Sequence, residues 1–376
     1  MDDTTVAKLG EAAALAADDA RFAVEALQIL KSDGALGLGI PEEYGGRGET
    51  VRAQLGAIFD AGRSSASVGT ILSMHLQQVH ALVRYGSPQL KETVLPEIAT
   101  GRVYLGSVTT EKASGGDLRA SSSPLARRGD EVHVVREAPI VTGAEEADAF
   151  LIKMADGEQG ASSLVYVPRS SATVTMRPNT WDPLGMRESG SAGIHIEATV
   201  PSTHVIGAPC GFETIVKEVF GPFAHLGWAA SWLGSAAEAG DRLVDAMRHD
   251  NGLRRKVMDS DLSLSRLARA RECLDTVHAL LELACQDFES DRSVGFVPAL
   301  RNNGLKTAAS RHCFEAADLM VELGGLAHGY MRSSPTGIEK AFRDLRSASL
   351  NYSNDRLYRD NGRFVLRAGF GGIGAW

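Results

Sequence analysis

DPLGMRESGSAGIHIEATVPSTHVIG, residues 182–207, decides the fold. A Gly- and Pro-bearing turn runs into AGIHIEATV (192–200), where apolar and polar residues alternate with the period of two that a half-buried strand requires, and Pro201 stops it. Working upstream, VYLGSVTTE (103–111), EVHVV (131–135), PIVTG (139–143), AFLIKMA (149–155) and SSLVYVP (162–168) are further short β-type runs with turn residues between them. They delimit a middle β-domain over residues 104–212. On either side the period changes. Apolar residues recur at three- and four-residue spacing over 11–30, 51–62, 68–85 and 89–99, then over 216–248, 257–288, 302–324 and 338–366. LGLGIPEEYGGRG (36–48) carries too much Gly and Pro for a helix interior and is expected to turn between helices. The expected class is α+β: an N-terminal helical domain (1–103), the β-domain, and a C-terminal antiparallel helical bundle (213–376).

With 376 residues, 44% of them apolar, the chain can build a sizeable core. The net charge of -8 excludes a protein that grips a nucleic-acid backbone with a basic face. The first residues carry acids, and no apolar run reaches the ~18 residues of a membrane span, so a cytoplasmic protein with no membrane partner is expected. Cys210, Cys273, Cys285 and Cys313 lack CxxC spacing and are expected to be reduced, mostly buried thiols with no metal site.

Several separated runs fall in one order: GLGIPEEYGGRG (37–48), YGSPQLKETVLPEIATG (85–101), SVTTEKASGGDL (107–118), PIVTGAEEAD (139–148), the opening stretch 182–207, and ELGGLAHGY with EKAFRDLR (322–346). In that order the chain resembles the acyl-CoA dehydrogenase superfamily along nearly its whole length. The resemblance implies one flavin per chain, FAD with FMN as the alternative. It places Thr110, Gly115 and Gly116 in the flavin loop, where glycines let backbone N–H groups approach a flat ring. It puts Ile140, Val141 and Thr142 on the next flavin-facing strand, with Ile140 where the family has Trp, so that the aromatic wall is missing. Gly324 and Gly325 become cofactor contacts made across a subunit interface, which implies a homodimer or homotetramer. The basic run 253–256 is either a solvated helix entry or a phosphate contact.

The departures bear on the reaction. Counting from Arg343, the position of the family's base, the Glu of a YEGT sequence, falls on Tyr352, and no acid follows before Asp355. A phenol, with its usual pKa near ~10, is a poor base at neutral pH. The stretch FGPFAHLGWAASWLG (220–234) offers no acid either, and it has Pro222 and His225 where the family's acyl-CoA contacts would stand. The tail is similar to that of the superfamily's monooxygenase branch. A two-component-type monooxygenase is therefore the leading expectation: a small organic substrate, O2, reduced flavin from a separate reductase, His75 as a proton relay, and Tyr352 and Asn354 at the substrate. A dehydrogenase of acyl-CoA or an acyl-carrier protein, with Asp355 or Glu339 as a relocated base, is the alternative; a non-catalytic flavin-binding subunit is the third. The bland readings are that His75 is a satisfied core residue and that Trp228 and Trp232 are core packing.

Overall fold

A computed structural model describes residues 1–17, 21–111, 118, 121–157, 161–177, 181–290, 295–371 and 373. The chain opens with helices α1 (Asp3–Ala17), α2 (Val24–Ser32), α3 (Val51–Ser64), α4 (Ala66–Tyr85) and α5 (Pro88–Ala99). Their starts follow from side-chain oxygens that satisfy otherwise unpaired amides. Thr50 accepts from the Ala53 N–H, Ser65 from Ser67, and Ser87 from Leu90, with Pro88 at the first helical position. Residues 36–48 form the expected turn, with short 3-10 pieces at Ala35–Gly37 and Glu42–Tyr44. The apolar run 11–30 is not one helix. Phe22 is buried, the Ala23 N–H donates to the Glu188 carbonyl, and a Cβ on Gly190 would strike Phe22. Docking on the β-region thus breaks a helix that the local pattern would have continued.

The strands are β1 (Leu105–Val108), β2 (Ala126–Arg128), β3 (Glu131–Val141), β4 (Ala149–Ala155), β5 (Ser162–Pro168), β6 (Ala172–Met176), β7 (Ala192–Pro201) and β8 (Val205–Ile206). They form two four-stranded sheets, ordered β1-β4-β5-β8 and β2-β3-β7-β6. β4 and β5 are buried on both faces, as continuous apolar runs predict, whereas β3 and β7 alternate. The β3–β7 register shifts between Ala138 and Val141, next to the segment that the resemblance assigns to the flavin.

Helices α6 (Phe212–Ile215), α7 (Gly221–His249), α8 (Asn251–Met258), α9 (Asp261–Glu289), α10 (Phe296–Gly325), α11 (Ile338–Arg346) and α12 (Asn354–Ala368) complete the chain. α3, α4 and α7 approach closely because Gly62, Gly69 and Gly234 carry no Cβ; one on Gly62 would lie 2.4 Å from the Ser231 carbonyl and one on Gly234 2.2 Å from that of Phe59. A buried ionic knot ties the three regions together. Lys340 on α11 lies 2.6 Å from Glu188, in the turn before β7, and 2.7 Å from Asp344, while Ser67 at the start of α4 donates to Glu188 at 3.0 Å. The class expected from sequence, helices flanking a β-region within an α+β fold, is the one observed. The final run 338–366 is divided by a turn over 347–353, and that turn forms part of the candidate site.

Candidate active site

The two ends of the candidate flavin loop are pinned by a buried ion pair. Arg136 on β3 is fully buried and paired with Glu111, and it also donates to the Thr110 carbonyl and the Ser123 hydroxyl, both at 3.0 Å. Glu111 in turn accepts from the Ser121 hydroxyl at 2.6 Å and the Ser122 amide at 3.0 Å. Burial pushes Arg136 down to about 10, which still leaves it charged at neutral pH. Thr110 is thereby fixed through its backbone. Gly115 and Gly116 lie outside the described residues. On β3, alternation sends Ile140 outward, 47% exposed, and Val141 inward, 1% exposed, so the Val141 side chain belongs to the core and leaves only its backbone for a cofactor. The Thr142 hydroxyl, just past β3, is 3.1 Å from that of Ser191.

The candidate substrate side is built around Lys306, whose importance the sequence did not signal. Lys306 stands on α10 within a fully buried run from Leu305 to Ser310. Its Nζ donates to the Ala348 carbonyl (3.0 Å), the Tyr352 carbonyl (3.0 Å) and Oδ1 of Asn354 (2.8 Å), and lies 5.8 Å from the centroid of the Trp232 ring. All three acceptors are neutral, and burial pushes the amine down to about 7. Asn354 Nδ2 completes the cluster by donating to Ser310 Oγ at 2.9 Å. Lys306 thus gathers the Tyr352 carbonyl and the Asn354 side chain at the end of the turn over 347–353. Tyr352 is left-handed (φ 50°), an unusual conformation for a bulky residue, and the lysine contact to its carbonyl helps to hold it.

His225 on α7 faces this turn. Its ring centroid is 6.2 Å from that of Tyr352 and 6.0 Å from that of Trp228, and Trp228 stacks on Trp232 at 6.2 Å. The Asn302 side-chain amide donates to His225 Nδ1 at 3.2 Å. Burial first, and the Lys306 charge second, push His225 down to about 3, so it is neutral in the working range. Of the suspected relocated bases, Asp355 is exposed at the start of α12, and Glu339 is held by Arg343 at 2.8 Å.

His75 sits elsewhere in the network. Its Nδ1 accepts from the Leu105 amide and its Nε2 lies against the Leu36 carbonyl, each at 3.1 Å, so the ring is the Nε2–H tautomer and both nitrogens are occupied by backbone. The histidine ties α4 to β1 and to the 3-10 turn at Ala35–Gly37, and burial pushes it down to about 4. No ring nitrogen remains for a relay, which agrees with the bland reading of His75. A third corner gathers the dinucleotide candidates. A Cβ on Gly325, itself at φ 62°, would lie 3.1 Å from Nζ of Lys256, and His328 is 3.0 Å from Asp250. Gly325 therefore stands beside the basic end of α8, where a cation meets a backbone with no side chain, a setting that suits a phosphate-bearing group. Gly324 is buried, and a Cβ there would strike Gly329, so its backbone packs inside the chain.

Comparison with known proteins identifies the lineage. The acyl-CoA dehydrogenase N-terminal domain matches residues 3–102 and the acyl-CoA dehydrogenase C-terminal domain residues 216–351, together well over half of the chain. The protein belongs to the acyl-CoA dehydrogenase superfamily of flavin-binding oxidoreductases. It is 23% identical over 345 residues to a mitochondrial short/branched chain specific acyl-CoA dehydrogenase of Bos taurus, covering 89% of this chain and 76% of the relative. It is 28% identical over 225 residues to a dibenzothiophene monooxygenase of Rhodococcus qingshengii, covering 56% of this chain and 53% of the relative. The FMN-bound structure of TdsC from Paenibacillus sp. A11-2 superposes with a TM-score of 0.78 at 18% identity, covering 97% of each chain. Among the described residues no helix is long and apolar enough to cross a membrane.

Proposed function

We propose that the protein is a flavin-dependent monooxygenase that oxygenates a small organic molecule with O2 and reduced flavin supplied by a separate reductase. The carrying observation is the turn over 347–353: where a dehydrogenase needs a carboxylate to take the substrate α-proton, this chain has Tyr352, held by a buried lysine whose partners are all neutral. Reduced flavin supplies the electrons that activate oxygen. The chain's own residues supply the setting. Trp228, Trp232 and neutral His225 exclude water, the Lys306 cluster fixes the shape of the substrate-side turn, and Thr110 and Thr142 stand where the ring would be oriented. Gly325 and Lys256 would hold a pyrophosphate, which favours FAD over the alternative FMN.

Leu326 and Tyr330, 76% and 67% exposed beside Gly325, support a homo-oligomer whose interface borders the cofactor corner. Three buried thiols, Cys273, Cys285 and Cys313, support a reducing, cytoplasmic compartment. The experiment is to supply reduced flavin and isotopically labelled dioxygen with a panel of small aromatic and aliphatic substrates, and in parallel to mix the oxidised protein anaerobically with acyl thioesters. Label in an organic product is the expected result. Bleaching of the flavin by a thioester, with no labelled product, would establish the dehydrogenase reading instead.

A further inference from the structure

The four cysteines are scattered along the sequence, but folding gives Cys273 two companions. Cys273 on α9 faces His312 and Glu315 on α10, the helix that packs against it, and the thiol sulfur, a ring nitrogen and a carboxylate oxygen all lie within 4.8 Å of one another. His312 and Glu315 are three residues apart, the spacing that puts two side chains on one helix face. His312 Nδ1 and Glu315 Oε2 are 3.8 Å apart, too far for a hydrogen bond. A second, independent observation points the same way. His312 Nδ1 is a buried polar atom with no hydrogen-bond partner among the described residues. Leaving such an atom unsatisfied costs about 1–3 kcal/mol. Arg269 takes the other Glu315 oxygen, Oε1, at 2.9 Å, which orients the carboxylate with Oε2 towards the histidine.

We propose that Cys273, His312 and Glu315 form a binding site for a divalent first-row metal ion, zinc by the chemistry of its donors. One thiolate, one imidazole and one carboxylate are a mixed soft, borderline and hard set, and zinc accepts all three in a tetrahedron whose fourth place is left to water. Metal–ligand distances of ~2.0–2.3 Å require the three atoms to lie about 3.3–3.8 Å apart, within reach of small side-chain rotations from the observed positions. Binding exchanges one bond for another: the Cys273 thiol gives its proton to solvent and its sulfur bonds to the metal, with no change of oxidation state. Cys273 is 8% exposed, while the His312 and Glu315 side chains are 28% and 42% exposed, so an ion enters from the solvent side and meets the thiol at the bottom. Burial, and Glu315 after it, hold the free Cys273 thiol up at about 11, and the Arg269 charge opposes the ion, so metal binding has to displace the thiol proton. Such an ion would rivet α9 to α10. His312 is two residues beyond Ser310, which turns it to the far side of α10 from the Asn354 cluster.

The test uses the purified, flavin-loaded full chain. Zinc chloride is titrated by calorimetry, and cobalt(II) chloride is titrated in parallel, because tetrahedral cobalt absorbs to the red of the flavin bands and a bound thiolate adds intensity. One metal per chain, a tetrahedral cobalt spectrum and a raised melting temperature are expected. Losing even a partner that only orients a ligand costs about 10–100-fold in affinity, so Cys273→Ser and His312→Gln should each weaken binding by about a hundredfold or more. Retained flavin shows that the variants are folded; if either variant fails to fold, the cobalt spectrum of the unaltered chain decides alone. No saturable binding, an octahedral spectrum without thiolate character, or binding unchanged in Cys273→Ser would overturn the proposal.

Discussion

Nζ of Lys306 lies 2.8 Å from Oδ1 of Asn354, and this contact joins α10 to the first turn of α12 without any carboxylate. Burial of the ammonium with only neutral partners has a measurable consequence. The amine titrates near 7 in the fold and near ~10.4 in the unfolded chain. In that window the unfolded state binds more protons. The stabilising contribution of Lys306 is therefore complete above the upper value and lost as pH falls towards 7. Asn354→Asp places a counter-charge beside the amine and should raise its pKa. Urea denaturation between about pH 7 and 10 is expected to show a stability rise in the parent that is smaller in the variant by up to ~1.4 kcal/mol per pH unit. Identical slopes would show that the ammonium is not buried as described.

His75 titrates in the opposite part of the pH scale. Its folded value near 4 lies below the ~6.5 of an exposed histidine, so its contribution is complete above 6.5 and is lost as pH falls to 4. His75→Gln, which can keep one backbone hydrogen bond and cannot ionise, should flatten the acid limb by about 1.4 kcal/mol per pH unit at most. Its turnover at neutral pH should change far less than a lost proton relay would demand. A turnover loss of a hundredfold or more with flavin retained would restore the relay.

The fold was legible because its signals are periodic and local. The alternation of residues 192–200 and the three- and four-residue apolar spacing over 51–62, 68–85 and 89–99 all stand in short stretches. Three features were not local. The non-helical stretch 21–23 comes from Phe22 docking near Gly143 and Gly190, far along the chain. Lys306 gives no periodic signal of its own, since a lone lysine on an apolar helix face looks like a solvated residue until its acceptors at 348, 352 and 354 are folded over it. The grouping of Lys256 with Gly325 likewise depends on tertiary packing. The nearest available hint for Lys306 was Ser310 one turn later, a polar pair on a face otherwise filled by Leu305, Ala309 and Cys313.

The knot at Lys340 makes the strongest stability prediction. Burial and the attraction of two carboxylates compete at this lysine, and the attraction from Asp344 and Glu188 prevails, raising its pKa. Glu188 is held below the usual carboxylate range because the pull of Lys340 overcomes burial. Lys340→Met would leave two buried carboxylates facing each other, and removing one partner of such a pair costs about 3–5 kcal/mol. The urea midpoint should fall accordingly. The Met186 amide, which donates to Asp344 Oδ1 at 2.7 Å, should exchange its hydrogen faster.

The surface at Lys256 and Gly325 provides a test of FAD against FMN. A Cβ on Gly325 would lie 3.1 Å from Nζ of Lys256, and the φ of 62° there excludes most side chains without strain. If this surface holds the pyrophosphate and beyond it the adenosine, then Lys256→Ala removes a charge-assisted hydrogen bond worth about 1.5–3 kcal/mol and Gly325→Val closes the cradle. Each should weaken FAD by roughly ten- to a hundredfold in a fluorescence titration. FMN, which ends at its first phosphate, should bind the variants and the parent alike. Equal losses for both flavins would move the phosphate site to the ring side of the fold, and unchanged FAD binding would remove this corner from the cofactor altogether.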